Sequence, residues 1–159
     1  QAPFDRQGGE NSYSLHAELQ EVTHNLVGII RTGAELKEAI AKIADIRKRS
    51  ANVAVTGGRK FNPGFHLAFD LDNMLLVAES TAKSADSREE SRGGHTRDDF
   101  PGMDNKWRQV NNIASFNGSE VTVTARALPP MPKELFDLFD IHELEKYMTP
   151  EEIAKGGSN

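Results

Sequence analysis

The sequence has 159 residues, which fits one domain that can bury a hydrophobic core of its own. Its net charge of −5 argues against a nucleic-acid surface, because phosphate binding requires a basic excess. It contains no cysteine, which excludes disulfides, iron–sulfur ligation and thiolate zinc sites within this chain.

The first half of the chain predicts three helices joined by short links. Apolar residues recur at spacings of four and three over residues 14–25, which predicts the first helix. Thr32 precedes Glu35 by three residues, the capping-box pattern that begins a second helix. The longest predicted helix covers residues 64–85, with small residues toward its end. The apolar stripes are Leu15, Leu19 and Val22; Leu36, Ile40, Ile43 and Ile46; and Leu67, Leu71, Met74, Leu75, Ala78, Ala82 and Ala85. An antiparallel bundle is therefore expected.

The second half of the chain has a different pattern. Two runs with strand character, residues 107–115 and 121–125, flank Asn117-Gly118, which is the strongest short hairpin signal. Residues 133–148 predict one acidic amphipathic helix. Thr149 caps a further short turn, and residues 156–159 are expected to be disordered.

Taken together, these elements predict a mainly α fold. We expect a three-helix bundle-like domain, similar to a spectrin repeat, followed by a small β-hairpin and a C-terminal helix. Residues 1–130 would form this helical domain with its hairpin, and residues 131–159 an acidic helical extension. No apolar run approaches the roughly 18–20 residues of a membrane span, so no direct membrane insertion is expected.

The sequence predicts no self-sufficient active site. Its five histidines are scattered and show no metal-ligand spacing such as H-E-x-x-H. It has no G-x-S-x-G nucleophile turn and no G-x-G-x-x-G after a strand. We therefore expect no catalytic residue, no metal and no cofactor-binding residue in this segment.

One stretch, residues 87–101, is unusually rich in charge. This signature segment holds three arginines, one histidine and four acidic residues around Gly93-Gly94. Such a segment is either a solvated loop or a buried network of charge-assisted hydrogen bonds, since the arginine fork suits carboxylates and glycine permits close approach of backbones. Composition alone favours the solvated loop.

The signature segment also carries a family resemblance. Glu90-Ser91-Arg92-Gly93-x-His95-x-Arg97-x-Asp99-Phe100-Pro101 resembles the E-S-R-G-A-H-x-R-x-D-F-P signature of the C-terminal domain of succinate dehydrogenase and fumarate reductase flavoproteins, with Gly94 in place of alanine. Leu71-Asp72-Asn73 upstream and Asp104-Asn105-Lys106-Trp107 downstream are similar to stretches of the same family. The candidate residues for a domain interface are Glu90, Ser91, Arg92, Gly93, His95, Arg97 and Asp99.

The resemblance implies a parent protein that is an FAD-dependent succinate dehydrogenase or fumarate reductase. Its FAD would lie in an N-terminal flavin domain beside a capping domain, and its electrons would pass through an iron–sulfur subunit to a membrane quinone site. That places the parent complex in the cytoplasm, peripheral at the inner face of the cytoplasmic membrane. This segment would pack on the flavin domain without catalysing the reaction, with the signature segment at the junction and its charges paired across it.

Two alternatives stay open at this point. L-aspartate oxidase and adenylylsulfate reductase share a related E-S-R motif, so the parent could oxidise another acid. The chain could also be a free-standing protein-binding module. Because it begins with Gln1 and a polar stretch, we expect a piece of a longer protein, colourless and inactive toward succinate when isolated.

Overall fold

The computed structural model describes residues 2–156, which form three long helices, five short helices and two small sheets. The long helices are α2 (Ser12–Leu26), α3 (Gly33–Ser50) and α4 (Pro63–Ser87). The short helices are α1 (Ala2–Asp5), α5 (Asn105–Arg108), α6 (Lys133–Phe136), α7 (Ile141–Leu144) and α8 (Pro150–Ala154). The strands are β1 (Ile30–Arg31), β2 (Thr96–Arg97), β3 (Val110–Phe116) and β4 (Val121–Ala127). This mainly α architecture confirms the predicted fold class.

The three long helices begin at side chains that cap them. Asn11 accepts hydrogen bonds from the first-turn backbone of α2, so that helix begins two residues earlier than predicted. Thr32 and Glu35 form the predicted capping box of α3. Asn62 caps α4, and Pro63 takes the first helical position, where its missing N–H costs nothing. The local sequence therefore determines where each helix starts.

The core lies between α2, α3 and α4, which pack against one another. Most of its buried side chains come from the predicted stripes, joined by Ala39, Val53 and Val55, and each Leu or Ile contributes about 1.5–3 kcal/mol by leaving water. The cluster comprises Leu15, Leu19, Val22, Ala39, Ile43, Ile46, Val53, Val55, Leu71, Leu75 and Ala82. The bundle is thus a rigid base for the loops at its ends.

The predicted hairpin is present, with a shorter first strand than expected. β3 and β4 pair antiparallel, and Phe116 lies opposite Val121 across the Asn117-Gly118 turn. Residues 107–109 are not part of the strand, and the prediction there was wrong. Asp104 caps the backbone N–H of Lys106, which starts the short helix α5 and places Trp107 in it.

The predicted single helix over residues 133–148 was also wrong. The chain forms α6 and α7 instead, because Asp140 takes an extended conformation and caps His142, which restarts the helix. Beyond them, Thr149 caps α8 as predicted. The division of the chain at residue 130 stays a prediction, and the predicted disorder of residues 157–159 concerns positions outside the described residues.

Within residues 2–156, none of the helices combines the length and hydropathy that a bilayer-spanning segment requires.

Candidate functional site

The signature segment is held against the link between α2 and α3. It leaves the end of α4, and β2 within it pairs in parallel with β1, so that Arg97 lies beside Arg31. The backbone N–H of Asp98 also donates to the carbonyl of Arg31, at 3.1 Å. The segment therefore ties together the ends of all three long helices.

A buried carboxylate organises the first half of the segment. The side chain of Glu90 is 1% exposed and lies between the guanidinium groups of Arg88 and Arg92, whose closest nitrogens are 2.6 and 3.0 Å away. The backbone N–H of Asp104 donates a further hydrogen bond, at 2.9 Å. The sequence left two alternatives for this segment, a solvated loop and a buried charge network. At Glu90 the solvated loop is wrong, and a buried charge network is present.

The charged neighbours decide the protonation of Glu90. Burial alone would raise the pKa of its carboxyl group. Hydrogen bonds from Arg92, Asp104 and Arg88 outweigh burial and lower that pKa to about 2. Glu90 is therefore ionised throughout the physiological range and holds both arginines in place.

A loss of stability in acid follows from this pKa. An unfolded glutamate has a pKa near ~4.3, so the contribution of Glu90 is complete above about pH 5 and is lost as pH falls toward about 2. We expect the free energy of unfolding of the 159-residue chain to decrease over that interval in urea titrations. The Glu90→Gln variant should show a smaller decrease, and an equal decrease in both proteins would contradict the prediction.

A second charge pair, between a buried arginine and a more exposed aspartate, closes the other half of the segment. Arg97 is 2% exposed and binds Asp99 through two parallel hydrogen bonds, each 2.8 Å long. Its third nitrogen donates to the carbonyls of Ala85 and Asp86 in the last turn of α4, at 3.0 and 3.1 Å. Asp99 in turn accepts from the backbone N–H of Gly33, at 2.9 Å. Arg97 and Asp99 thus join the end of α4 to the start of α3.

Gly33 belongs to this arrangement because of its size. A Cβ at this position would lie 2.9 Å from a guanidinium nitrogen of Arg97 and 3.1 Å from a carboxylate oxygen of Asp99. A side chain at position 33 would therefore displace the paired side chains of Arg97 and Asp99.

The remaining predicted residues shape the loop. Ser91 accepts from the backbone N–H of Arg97 at 2.9 Å and donates to the carbonyl of Phe100 at 2.9 Å. Arg92 and His95 exchange backbone hydrogen bonds around the turn, where Gly93 has φ of +59°, a left-handed value that favours glycine. The structure thus brings together all seven predicted residues.

His95 sits in a positive environment. Its Nε2 donates to the carbonyl of Arg88 at 2.9 Å, which fixes the neutral ring with its proton on Nε2. Burial is the main cause that lowers the pKa of His95, and the positive charges of Arg31, Arg88 and Arg97 lower it further, against the opposing effect of that hydrogen bond. The imidazole is therefore neutral at pH 7.

Sequence reasoning missed three members of the site. Arg88 lies inside the signature segment, and its position two residues before Glu90 was the signal available. Gly33 and Asp104 act through their backbone N–H groups, for which the side-chain pattern gives no signal.

Neither a dinucleotide-binding sheet nor a metal-binding cluster is present among the described residues. Both of their sheets have only two strands, whereas a dinucleotide lies at the carboxyl edge of an open parallel sheet beside a glycine-rich turn. Among the same residues, no group of three or more His, Asp or Glu side chains is arranged to hold a metal. The arrangement defines a helical structural domain with a buried charge network.

The family match agrees with this class. The family described as fumarate reductase flavoprotein C-term matches residues 16–137 of this chain. The chain belongs to that family, and the predicted C-terminal domain of the succinate dehydrogenase and fumarate reductase flavoprotein subunit is confirmed.

Individual relatives support the same family. An uncharacterised FAD-dependent oxidoreductase of Methanocaldococcus jannaschii is 41% identical over 101 residues, which cover 64% of this chain and 18% of that protein. The fumarate reductase flavoprotein subunit of Mycobacterium tuberculosis is 36% identical, with coverage of 63% and 17%. A chain of the Sdh1 complex of Mycobacterium smegmatis in the apo form matches with a TM-score of 0.87 and 49% identity, covering 97% of this chain and 27% of that one. The chain thus spans about a fifth of the length of these curated relatives.

Proposed function

We propose that this domain supports the flavin-bearing part of an FAD-dependent enzyme that interconverts succinate and fumarate. The observation that carries the proposal is the likeness to the Mycobacterium smegmatis Sdh1 chain over 97% of this sequence at 49% identity. FAD in the missing part would exchange a hydride with the substrate. The residues of this chain supply no group to that reaction and hold the protein around it.

The partners proposed for the parent protein follow from the same family. They are its own flavin and capping domains and an iron–sulfur subunit that passes electrons to a quinone. Solved relatives include a quinol–fumarate reductase with menaquinol molecules and the Mycobacterium smegmatis Sdh1 in complex with UQ1. A peripheral position at the inner face of the cytoplasmic membrane fits such a complex.

The signature segment would serve as a preformed platform at the junction with the flavin-bearing part. Its central charges are already paired within this chain, since Glu90 binds Arg88 and Arg92, and Arg97 binds Asp99. A platform with satisfied charges presents a fixed backbone to its neighbour and loses little conformational entropy on docking. This differs from the expectation that these charges are paired across the junction.

The Arg92→Ala change in the full-length flavoprotein tests this role. Without its partner, Glu90 keeps only Arg88 and a backbone donor, so the loop loses its fixed geometry. We expect a several-fold loss of flavin retained through gel filtration and a lower melting temperature, with the KM for succinate nearly unchanged in the protein that keeps flavin.

Arg126→Ala is the matched control, since Arg126 is an exposed arginine of the hairpin. Normal flavin content and melting temperature in the Arg92→Ala protein would contradict the supporting role. Succinate–dye reductase activity of the unmodified full-length protein tests the proposed reaction, and turnover of L-aspartate in place of succinate would overturn it.

A further inference from the structure

Arg31 is a partly buried cation with no counter-charge among residues 2–156. Its Nε is shielded from solvent and has no hydrogen-bond partner there. The one hydrogen bond that its side chain makes among these residues, to the carbonyl of Gly94, is long at 3.5 Å. No carboxylate of the described residues lies within 4.0 Å of its guanidinium, unlike Arg88, Arg92 and Arg97, which are all paired. A buried donor without a partner destabilises the protein, and more so when it is charged.

Other basic side chains lie around Arg31. Arg31, Arg88 and His95 line one groove, and Arg97 lies beside Arg31 in the paired strands. Burial is the main cause that lowers the pKa of Arg31, and the positive charge of Arg97 lowers it further. Arg88 and Arg97 are neutralised by Glu90 and Asp99, and His95 is neutral, whereas Arg31 has no such partner among residues 2–156. The groove therefore has a local excess of positive charge that an anion would relieve.

Arg31 is also held in a fixed place. Its backbone pairs with β2, and its carbonyl accepts from the N–H of Asp98 at 3.1 Å. This fixes the point from which the side chain extends, and the planar fork of its guanidinium matches the two oxygens of a carboxylate.

The rim of the groove is apolar and exposed. Val77, which lines the groove, is 65% exposed, and Ile29 and Ile30, the two residues before Arg31 in the chain, are 75% and 64% exposed. Val77 also lines a neighbouring apolar groove between α2 and α4 with Val27. A small free anion would leave this apolar surface in water, whereas a protein surface that presents an acidic side chain would cover both.

We propose that the groove of Arg31 and His95 receives the carboxylate of an aspartate or glutamate from the flavin-bearing part of the same polypeptide. This inference rests on the proposed function, which joins the domain to that larger part. The chain spans 18% and 17% of the first two curated relatives, so a large covalently attached surface is available at high effective concentration. The apolar rim packs on that surface, and the carboxylate accepts from the terminal nitrogens of the Arg31 guanidinium, which the groove leaves accessible.

A cross-linking experiment on the full-length flavoprotein identifies the partner directly. The Arg31→Lys variant keeps the positive charge and places an amine in the groove, which a zero-length carbodiimide couples only to a carboxylate in contact. We expect one dominant coupled peptide pair that joins position 31 to an acid outside the 159 residues of this chain. Its yield should exceed several-fold that of the Arg126→Lys control, which places an amine at an exposed arginine of the hairpin that has no ion pair among residues 2–156.

Each other outcome overturns the inference. Coupling no stronger than in the control, coupling only within this chain, or coupling to a second copy would show that the flavin-bearing part does not fill the groove. A protein that retains flavin and reduces dye with succinate, yet lacks the coupled pair, refutes this inference and leaves the proposed function standing. A full-length protein without flavin refutes the proposed function, and this inference with it.

A charge series gives an independent measurement in the same full-length protein. Arg31→Glu should release flavin several-fold faster than Arg31→Gln, because it places two carboxylates opposite each other. Equal release by the two variants would mean that no carboxylate faces position 31.

Discussion

Replacement of Glu90 by glutamine is expected to lower the free energy of unfolding of the 159-residue chain by about 3–5 kcal/mol, the usual cost of breaking a buried charge pair. Glutamine has nearly the same shape as glutamate, so packing is preserved and only the charge is lost. Arg88 and Arg92 then lie close together around a neutral amide. The NH2 of that amide is itself a donor, so it repels the guanidinium groups. Urea denaturation monitored by circular dichroism measures the effect.

Glu89→Gln is the matched control for this variant. Glu89 is the preceding residue, but its side chain is about half exposed and lies 4.0 Å from Lys106, so its loss should change stability by less than about 1 kcal/mol. Equal effects of the two changes would show that burial and the two arginines do not increase the contribution of Glu90 to the free energy of unfolding.

The helical half of the fold could be predicted because local signals and packing agree there. The apolar stripes of the three long helices match the buried core, and the capping box of Thr32 and Glu35 forms as expected. The C-terminal region could not be predicted in the same way, because periodicity does not show where a polar residue will stop a helix. Asp140 fits an amphipathic pattern, yet as a cap it divides the predicted helix into α6 and α7.

The site was identified by its residues but not by its environment. Composition alone favoured a solvated loop, since a run of charges gives no sign of burial. The structure buries Glu90 and Arg97 because each finds partners distant in sequence, such as the N–H of Asp104 and the carbonyl of Ala85. Those backbone partners depend on the tertiary fold, so only the structure shows that the network is satisfied from within.

Arg97 is the second residue whose loss should be severe. Arg97→Met keeps most of the buried volume but removes the partners of Asp99 and of the two carbonyls at the end of α4, Ala85 and Asp86. We expect a loss of about 1–3 kcal/mol in the free energy of unfolding, because the carbonyls of Ala85 and Asp86 lose their donor and Asp99, whose side chain is 35% exposed, loses its cation. Urea denaturation of the variant beside the unmodified chain measures it.

Arg97→Lys separates charge from geometry at the same position. Lysine keeps the positive charge, but its single ammonium group cannot span both oxygens of Asp99 and also reach the end of α4, so it should recover only about half of the loss. Arg126→Met, at an exposed arginine, should change stability by less than about 0.5 kcal/mol. Full recovery with lysine would mean that charge alone holds α3 to α4. A loss with Arg97→Met no larger than with Arg126→Met would mean that the Arg97–Asp99 pair contributes nothing to stability. The three helix ends would then be held by the hydrophobic core.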